Sequence, residues 1–341
     1  MNYFKKHIIS AFVLVFQVSF AQSLLAGNDS ITTEKDQISG GYKLVWQDNF
    51  EGKTLDVKNN WKIEVDGNGG GNKELQYYRK QNICVGKEPV SGENCLIITA
   101  KKDNYLFKAF TSGRLSTQSK FSFKYGKIEA RIKFPTIGNG IWPAFWMLGK
   151  GFPKVNWPKC GEIDILEMGN AKGIKKGVSD KYFNGACHWG ESWNDGNYPH
   201  IGKASISSYS LVGDFHLFTL IWVENEIKMY LDLDKYPTNS PYYTLPITGE
   251  DVPENAAHYY NKQFFIIFNL AVGGNFTGIL TPEGITAMPN GEANMYVDYV
   301  RVYQKGLKND EIGLMKIAGM QESGNLEIYN VAGQLVKRES N

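Results

Sequence analysis

Gly161-Glu162-Ile163-Asp164-Ile165-Leu166-Glu167-Met168 sets three carboxylates among branched apolar residues. The apolar content predicts a strand, and a strand points alternate side chains to opposite faces. Glu162 and Asp164 then share a face, while Glu167 turns to the other. A β-bulge at Ile165-Leu166 brings Glu167 back into line, because one extra residue shifts the alternation by one. Two readings follow. One is an ordinary strand with a solvated acidic face. The other is a paired-carboxylate site with the apolar residues packed behind it. Mutual repulsion of three like charges on one face favours the second.

The segments around this stretch also read as strands. Upstream, Lys127-Ile128-Glu129-Ala130-Arg131-Ile132-Lys133-Phe134 alternates charged and apolar residues, as a half-buried antiparallel strand does. Ile141-Trp142-Pro143-Ala144-Phe145-Trp146-Met147-Leu148 lies between the two. Further strands are expected at Cys95–Ala100, His216–Val223, Glu226–Leu233, Gln263–Val272 and Asn294–Gln304. A helical turn or two is expected only near Pro253–Lys262, and 169–202 reads as a long irregular connection. Val65–Glu74 is Gly-rich but lacks the glycine spacing of a nucleotide loop, so a surface loop at a cleft rim is expected. Many strands and few helices predict an all-β antiparallel sandwich.

With 341 residues the chain is long enough for one large β domain. Its 19 Tyr, 19 Phe and 8 Trp supply both a core and stacking surfaces, and 36 Gly supply turns. The start has the form of an export signal: Lys5, Lys6 and His7, an apolar run from Ile8 to Val18, then Ser19-Phe20-Ala21 as a small-x-small cleavage site. Residues 1–21 are therefore read as a signal peptide, 22–40 as a disordered linker, 41–305 as the main domain and 306–341 as a separate tail. No stretch is long enough to span a membrane. The formal net charge of +2 falls to zero when Lys5 and Lys6 leave with the signal. A neutral chain argues against nucleic acid and polyanionic partners. Cys84, Cys95, Cys160 and Cys187 could pair in three ways after export, and their spacing does not match a zinc site.

Two carboxyl groups flanking a glycosidic bond are the usual machinery of glycoside hydrolysis, one protonated and the other ionised. Acids this close on one strand favour retention, with reacting carboxyls about 5 to 5.5 Å apart. Trp142 and Trp146, on one face of their strand, and His188-Trp189 downstream suit a sugar cleft; Trp142 is the one expected to face substrate. For both tryptophans the plain alternative is core packing, and for His188 a buried, hydrogen-bonded histidine. The histidines show no metal-ligand spacing.

Gly161–Glu167 resembles the E-x-D-x-x-E signature of glycoside hydrolase family 16 in its bulged, laminarinase-like form. The resemblance covers most of 42–304. Asn72-Lys73-Glu74-Leu75-Gln76-Tyr77-Tyr78, Ser112-Gly113-Arg114-Leu115, Tyr125–Arg131, Gly140–Leu148, Asn269-Leu270-Ala271-Val272-Gly273-Gly274 and Val297-Asp298-Tyr299-Val300-Arg301-Val302-Tyr303 are similar to family segments, in order. It implies a concanavalin-like jelly roll with a concave substrate cleft. Glu162 would be the nucleophile, Glu167 the acid/base, and Asp164 would tune them. Trp142, Trp146, Arg114 and His188 would line subsites, with Trp189 and Asn72 beside them. Catalysis needs no cofactor on this reading; a structural calcium held partly by Asp298 is implied. The implied enzyme is an exported monomer, periplasmic, secreted or at the cell surface, cleaving β-1,3 or mixed β-1,3/1,4 glucans. Galactans such as agar, carrageenan or porphyran, or non-catalytic glucan binding, are the alternatives. The 169–202 segment is long for the family. The tail resembles the start of a type IX secretion sorting domain at Ile328-Tyr329-Asn330-Val331-Ala332-Gly333.

Overall fold

A computed structural model describes residues 41–193 and 196–306, and the backbone of 325–329 and 335–340. The expected signal and linker lie outside the described residues. So does Asn330–Gly333 of the tail.

The strands, in chain order, are β1 Tyr42–Asp48, β2 Lys62–Ile63, β3 Gln76–Tyr78, β4 Ile83–Lys87, β5 Asn94–Lys101, β6 Phe110–Ser112, β7 Arg114–Ser116, β8 Gly126–Lys133, β9 Ile141–Gly149, β10 Glu162–Met168, β11 Tyr182–His188, β12 His200–Ile206, β13 Phe215–Val223, β14 Glu226–Leu231, β15 Tyr243–Pro246, β16 Phe264–Val272, β17 Glu292–Lys305, β18 Asn325–Tyr329 and β19 Leu335–Ser340. One sheet runs β15-β14-β13-β8-β17-β5-β6-β3, with β1 on β17 and β4 on β5. The second runs β12-β11-β10-β9-β16-β7-β2. Pairing is antiparallel except for β3 with β6. The tail strands β18 and β19 pair with each other, antiparallel.

The core lies between these sheets because each inner strand presents one apolar face to the other sheet. Ile128, Ala130 and Ile132 of β8 face inward from the first sheet, and their charged neighbours stay partly exposed. From the second sheet come Phe145 and Met147 of β9, Ile163, Ile165, Leu166 and Met168 of β10, and Ile266, Phe268 and Leu270 of β16. The other face of the second sheet carries polar and aromatic residues, and the site lies there.

The 169–202 segment is not irregular. It holds a short helix, Ala171–Lys175, whose first turn is capped by the Asn170 side chain accepting from Lys172 N. It also holds β11, paired along its length with β10 and β12. Asn184-Gly185 reads as a turn in isolation. Here Gly185 is required inside a strand, since a Cβ would sit 2.8 Å from Met229 Sδ. The four cysteines are free thiols, and Cys84 alone of them is exposed. Among the described residues no helix is long and apolar enough to cross a membrane.

Candidate active site

The acidic strand contains the bulge that its alternation requires. Against β11, Glu162 stands opposite His188, Asp164 opposite Ala186 and Glu167 opposite Asn184, with the register shifting between Asp164 and Glu167. Ile165 and Leu166 together face the single position of Gly185. Both are fully buried in the inter-sheet core, and Glu162, Asp164 and Glu167 share the opposite face. Ile165 has no partner in the β9 register; its carbonyl accepts from the buried hydroxyl of Tyr242, so the distortion leaves no orphaned acceptor there.

On β11, the partners of Glu162 and Glu167 are four residues apart, which at about 3.3 Å per residue separates the two backbones by about 13 Å. Only adjacent acids are close, so the close-spacing argument for retention does not hold for the outer pair.

Burial raises the pKa of all three acids. Glu162 is pushed well above the usual carboxylate range by burial and then by Asp164. Asp164 is pushed up by burial, and Glu167 by burial and then by the Asp164 charge. The cluster therefore retains protons at a pH where isolated carboxyls have lost them. Two donors make its ends unequal. His188 Nε2 lies 3.2 Å from Asp164 Oδ2 and 3.9 Å from Glu162 Oε1, so any imidazolium charge stabilises ionisation at that end. At the other end the Trp142 indole N–H donates to Glu167 Oε1 at 3.1 Å and leaves Oε2 available to carry a proton.

The concave face of β9 sets the floor. Trp142, Ala144 and Trp146 share a face, and Ala144 and Trp146 stand opposite Glu167 and Asp164. Trp146 is held by its N–H to Asn269 Oδ1 at 2.7 Å and by the Arg114 guanidinium 4.8 Å above its ring. Glu64 in turn fixes Arg114, 2.9 Å from its Nε. Trp146 is half-buried, whereas Trp142 is buried and stacked 4.7 Å from Phe276. Trp142, expected to face substrate, lies on the acid face with one side of its ring covered by Phe276 and its N–H on Glu167.

The comparisons with known proteins agree with this geometry. The sequence profile of glycosyl hydrolases family 16 matches residues 77–248. A β-glucanase of Rhodothermus marinus is 33% identical over 294 residues, covering 84% of this chain and 94% of that one. The chain belongs to this family. It is also 35% identical over 295 residues to glucan endo-1,3-β-glucosidase A1 of Niallia circulans, covering 81% of this chain but only 40% of that protein's length. Among solved structures, a family 16 protein from the mixed linkage glucan PUL of Bacteroides ovatus, in complex with a G4G4G3G product, aligns at 36% identity and TM-score 0.66, covering 76% of this chain and 100% of that one. The family 16 sandwich is the fold described above, and retention and cofactor-free catalysis are general to its glucanases.

Other expected site residues fall in different places. Trp189 is not brought to the cleft. It is buried in the inter-sheet core, edge-on to Tyr260, because it follows His188 on the strand and alternation turns it inward. Asn72 sits at the rim, where its carbonyl accepts from Asn275 N; neighbouring Gly274 packs between it and Trp142, since a Cβ there would lie 2.9 Å from Asn72 O and 3.5 Å from Trp142 Cζ3. Asp298 lies on the far sheet, at a bulge in β17, with Oδ2 2.7 Å from Arg131 Nη1, which also pairs with Glu93. Its carboxylate is committed to an ion pair. Among the described residues, the one group of three or more potential metal-ligating side chains is Glu162, Asp164 and His188, within 4.8 Å of one another.

Several neighbours gave no sequence signal. Asn184, directly opposite Glu167, has a buried Oδ1 without a hydrogen-bond partner. Glu64, Trp157, Tyr198 and His200 come from distant segments and carry no motif, whereas Asn269 belongs to the family-like segment Asn269–Gly274.

Proposed function

We propose that this chain is a retaining endo-β-glucanase, cutting β-1,3 or mixed β-1,3/1,4 glucans. The observation that carries the reading is the bulge that puts Glu162, Asp164 and Glu167 on one face of β10, with the Trp142 N–H on the last of them. In the first step the Glu162 carboxylate attacks the anomeric carbon and the glycosidic C–O bond breaks. The leaving oxygen takes the proton from Glu167. In the second step Glu167, now ionised, takes a proton from water as that water attacks the anomeric carbon, and the bond to Glu162 breaks. Asp164, between them, makes joint ionisation costly and so keeps a proton within the cluster. Trp146 and Arg114 form the floor on which a pyranose ring stacks, and Asn72 borders it. No metal enters the reaction.

The linkage choice draws on both similarities: the Niallia circulans relative is named for β-1,3 cleavage, and the Bacteroides ovatus structure holds a mixed-linkage product. Residues 41–305 are the proposed catalytic unit, following an export signal and linker and preceding a sorting tail; the protein is proposed to act outside the cytoplasm as a monomer. The test is incubation of the purified domain with laminarin, mixed-linkage glucan, agarose and carrageenan, reading product size, linkage and initial anomeric configuration. Oligosaccharides of retained configuration from either glucan support the proposal. Release from the galactans alone, or binding without release, overturns it.

A further inference from the structure

Resting on the hydrolase reading above, we propose that Tyr198 is a positioning residue that fixes the tautomer of His188, so that Nε2–H is presented to the acid cluster. Tyr198 OH lies 3.0 Å from His188 Nδ1. On the far side of the same ring, Nε2 faces Asp164 Oδ2 at 3.2 Å and Glu162 Oε1 at 3.9 Å. The imidazole bridges a phenol and two acids, and the hydrogen at one nitrogen decides what the other can do.

Ionisation of either acid selects one arrangement. A carboxylate only accepts hydrogen bonds, so whenever Asp164 or Glu162 is ionised the nitrogen facing it must carry hydrogen. Nδ1 of the neutral ring is then an acceptor and needs a donor. Tyr198 is suited to that part: burial, and then the charges of Glu162 and Asp164, push its phenol up to about 12, so its O–H stays intact over the working range. With Tyr198 donating to Nδ1, the Nε2–H points at Asp164. The opposite tautomer would set the Nε2 lone pair against carboxylate oxygens.

The rest of the surroundings hold the ring without competing for its nitrogens. His200 stacks on it at 5.6 Å and 9°, while its own Nδ1 lies 3.0 Å from the Tyr198 carbonyl. Trp157 lies 6.1 Å away, with Tyr198 edge-on to it at 4.8 Å. Tyr260 hydroxyl donates to the backbone carbonyls of His188 and Glu162, not to the ring. The titratable groups facing the imidazole are thus Glu162 and Asp164 from β10, His200 from β12, and Tyr198 itself. Tyr198 lies in the connection between β11 and β12.

The experiment is nitrogen-15 NMR of the histidine side chains in the substrate-free chain, wild type and Tyr198→Phe, with His188 assigned by its loss in His188→Gln. The wild type is expected to show His188 protonated at Nε2 with Nδ1 as acceptor; Tyr198→Phe is expected to show a mixture of tautomers. On glucan, Tyr198→Phe should lower kcat about tenfold, the size of one lost hydrogen bond, with KM within about twofold and an altered pH profile. A wild-type His188 protonated at Nδ1 overturns the proposal, whatever the variant does. An unchanged tautomer in a folded Tyr198→Phe also overturns it. The NMR needs no substrate, so absence of hydrolysis counts against the glucanase reading alone.

Discussion

Trp142 donates its indole N–H to Glu167 Oε1 at 3.1 Å, and the bulge at Ile165-Leu166 makes that bond geometrically available. In a strand without the bulge Glu167 would enter the core beside Ile163 and Ile165, and Trp142 would face an apolar side chain. The bond favours the ionised form of Glu167 and so holds its pKa below what burial alone would produce.

Trp142→Phe removes that donor while keeping the stack on Phe276. The pKa of Glu167 should rise by about one to two units, the worth of a hydrogen bond to a charged group. Glu167 must be protonated for the first step, so activity falls as pH rises through its pKa. The alkaline limb of kcat/KM should therefore move to higher pH. A limb that stays in place would show that the titrating acid is another group.

Glu162→Gln should abolish turnover with the fold intact. Glu167→Ala should lower kcat by about 10²- to 10⁴-fold, the range for a lost general acid, and azide should restore part of the rate by giving a β-glycosyl azide. Full activity in Glu162→Gln would end the assignment of the nucleophile.

Asp164→Asn should stabilise the protein at neutral pH while impairing catalysis. The folded-state pKa of Asp164 is raised to about 8 by burial, against about 3.9 unfolded. Below about pH 4 the group is neutral in both states and costs nothing. As pH rises toward about 8, ionisation favours the unfolded chain and stability is lost. Asparagine has no such loss. The variant's gain in Tm should be near zero at pH 4 and grow toward pH 8; a gain that shrinks with pH would contradict the shift.

Trp189→Ala should destabilise by about 3 to 5 kcal/mol, as removal of a core aromatic does, with KM for glucan nearly unchanged in whatever fraction stays folded. Trp146→Ala should do the reverse, raising KM more than it lowers stability. Denaturation midpoints alongside kinetics separate the two.

A thiol reagent should modify one cysteine per native chain, Cys84, and four once the chain is unfolded. Reductant should leave Tm unchanged. A large fall in Tm on reduction would reveal a disulfide.

Much of the site could be read along the chain because it depends on local periodicity. Three acids in Glu162–Glu167 cannot share a face of a strand without one added residue, and the branched neighbours require a strand. The same rule makes Lys127–Phe134 a half-buried strand, found at Gly126–Lys133. The reading of 169–202 as irregular failed at Asn184-Gly185, where pairing on both sides and the close approach of Met229 make the middle of β11.

The sequence by itself determined the strand, the parity conflict and its resolution by a bulge, because alternation is a property of neighbouring residues. Only the tertiary structure decided which ring does what. It turned Trp189 into the core, covered one face of Trp142 with Phe276, and brought Glu64 to Arg114, Asn269 to Trp146, and Tyr198 and His200 to His188. It also raised the carboxyl pKa values, since a shift of that kind comes from burial and from charges a few ångströms away across other strands, and neither distance nor burial is a property of the chain read in order.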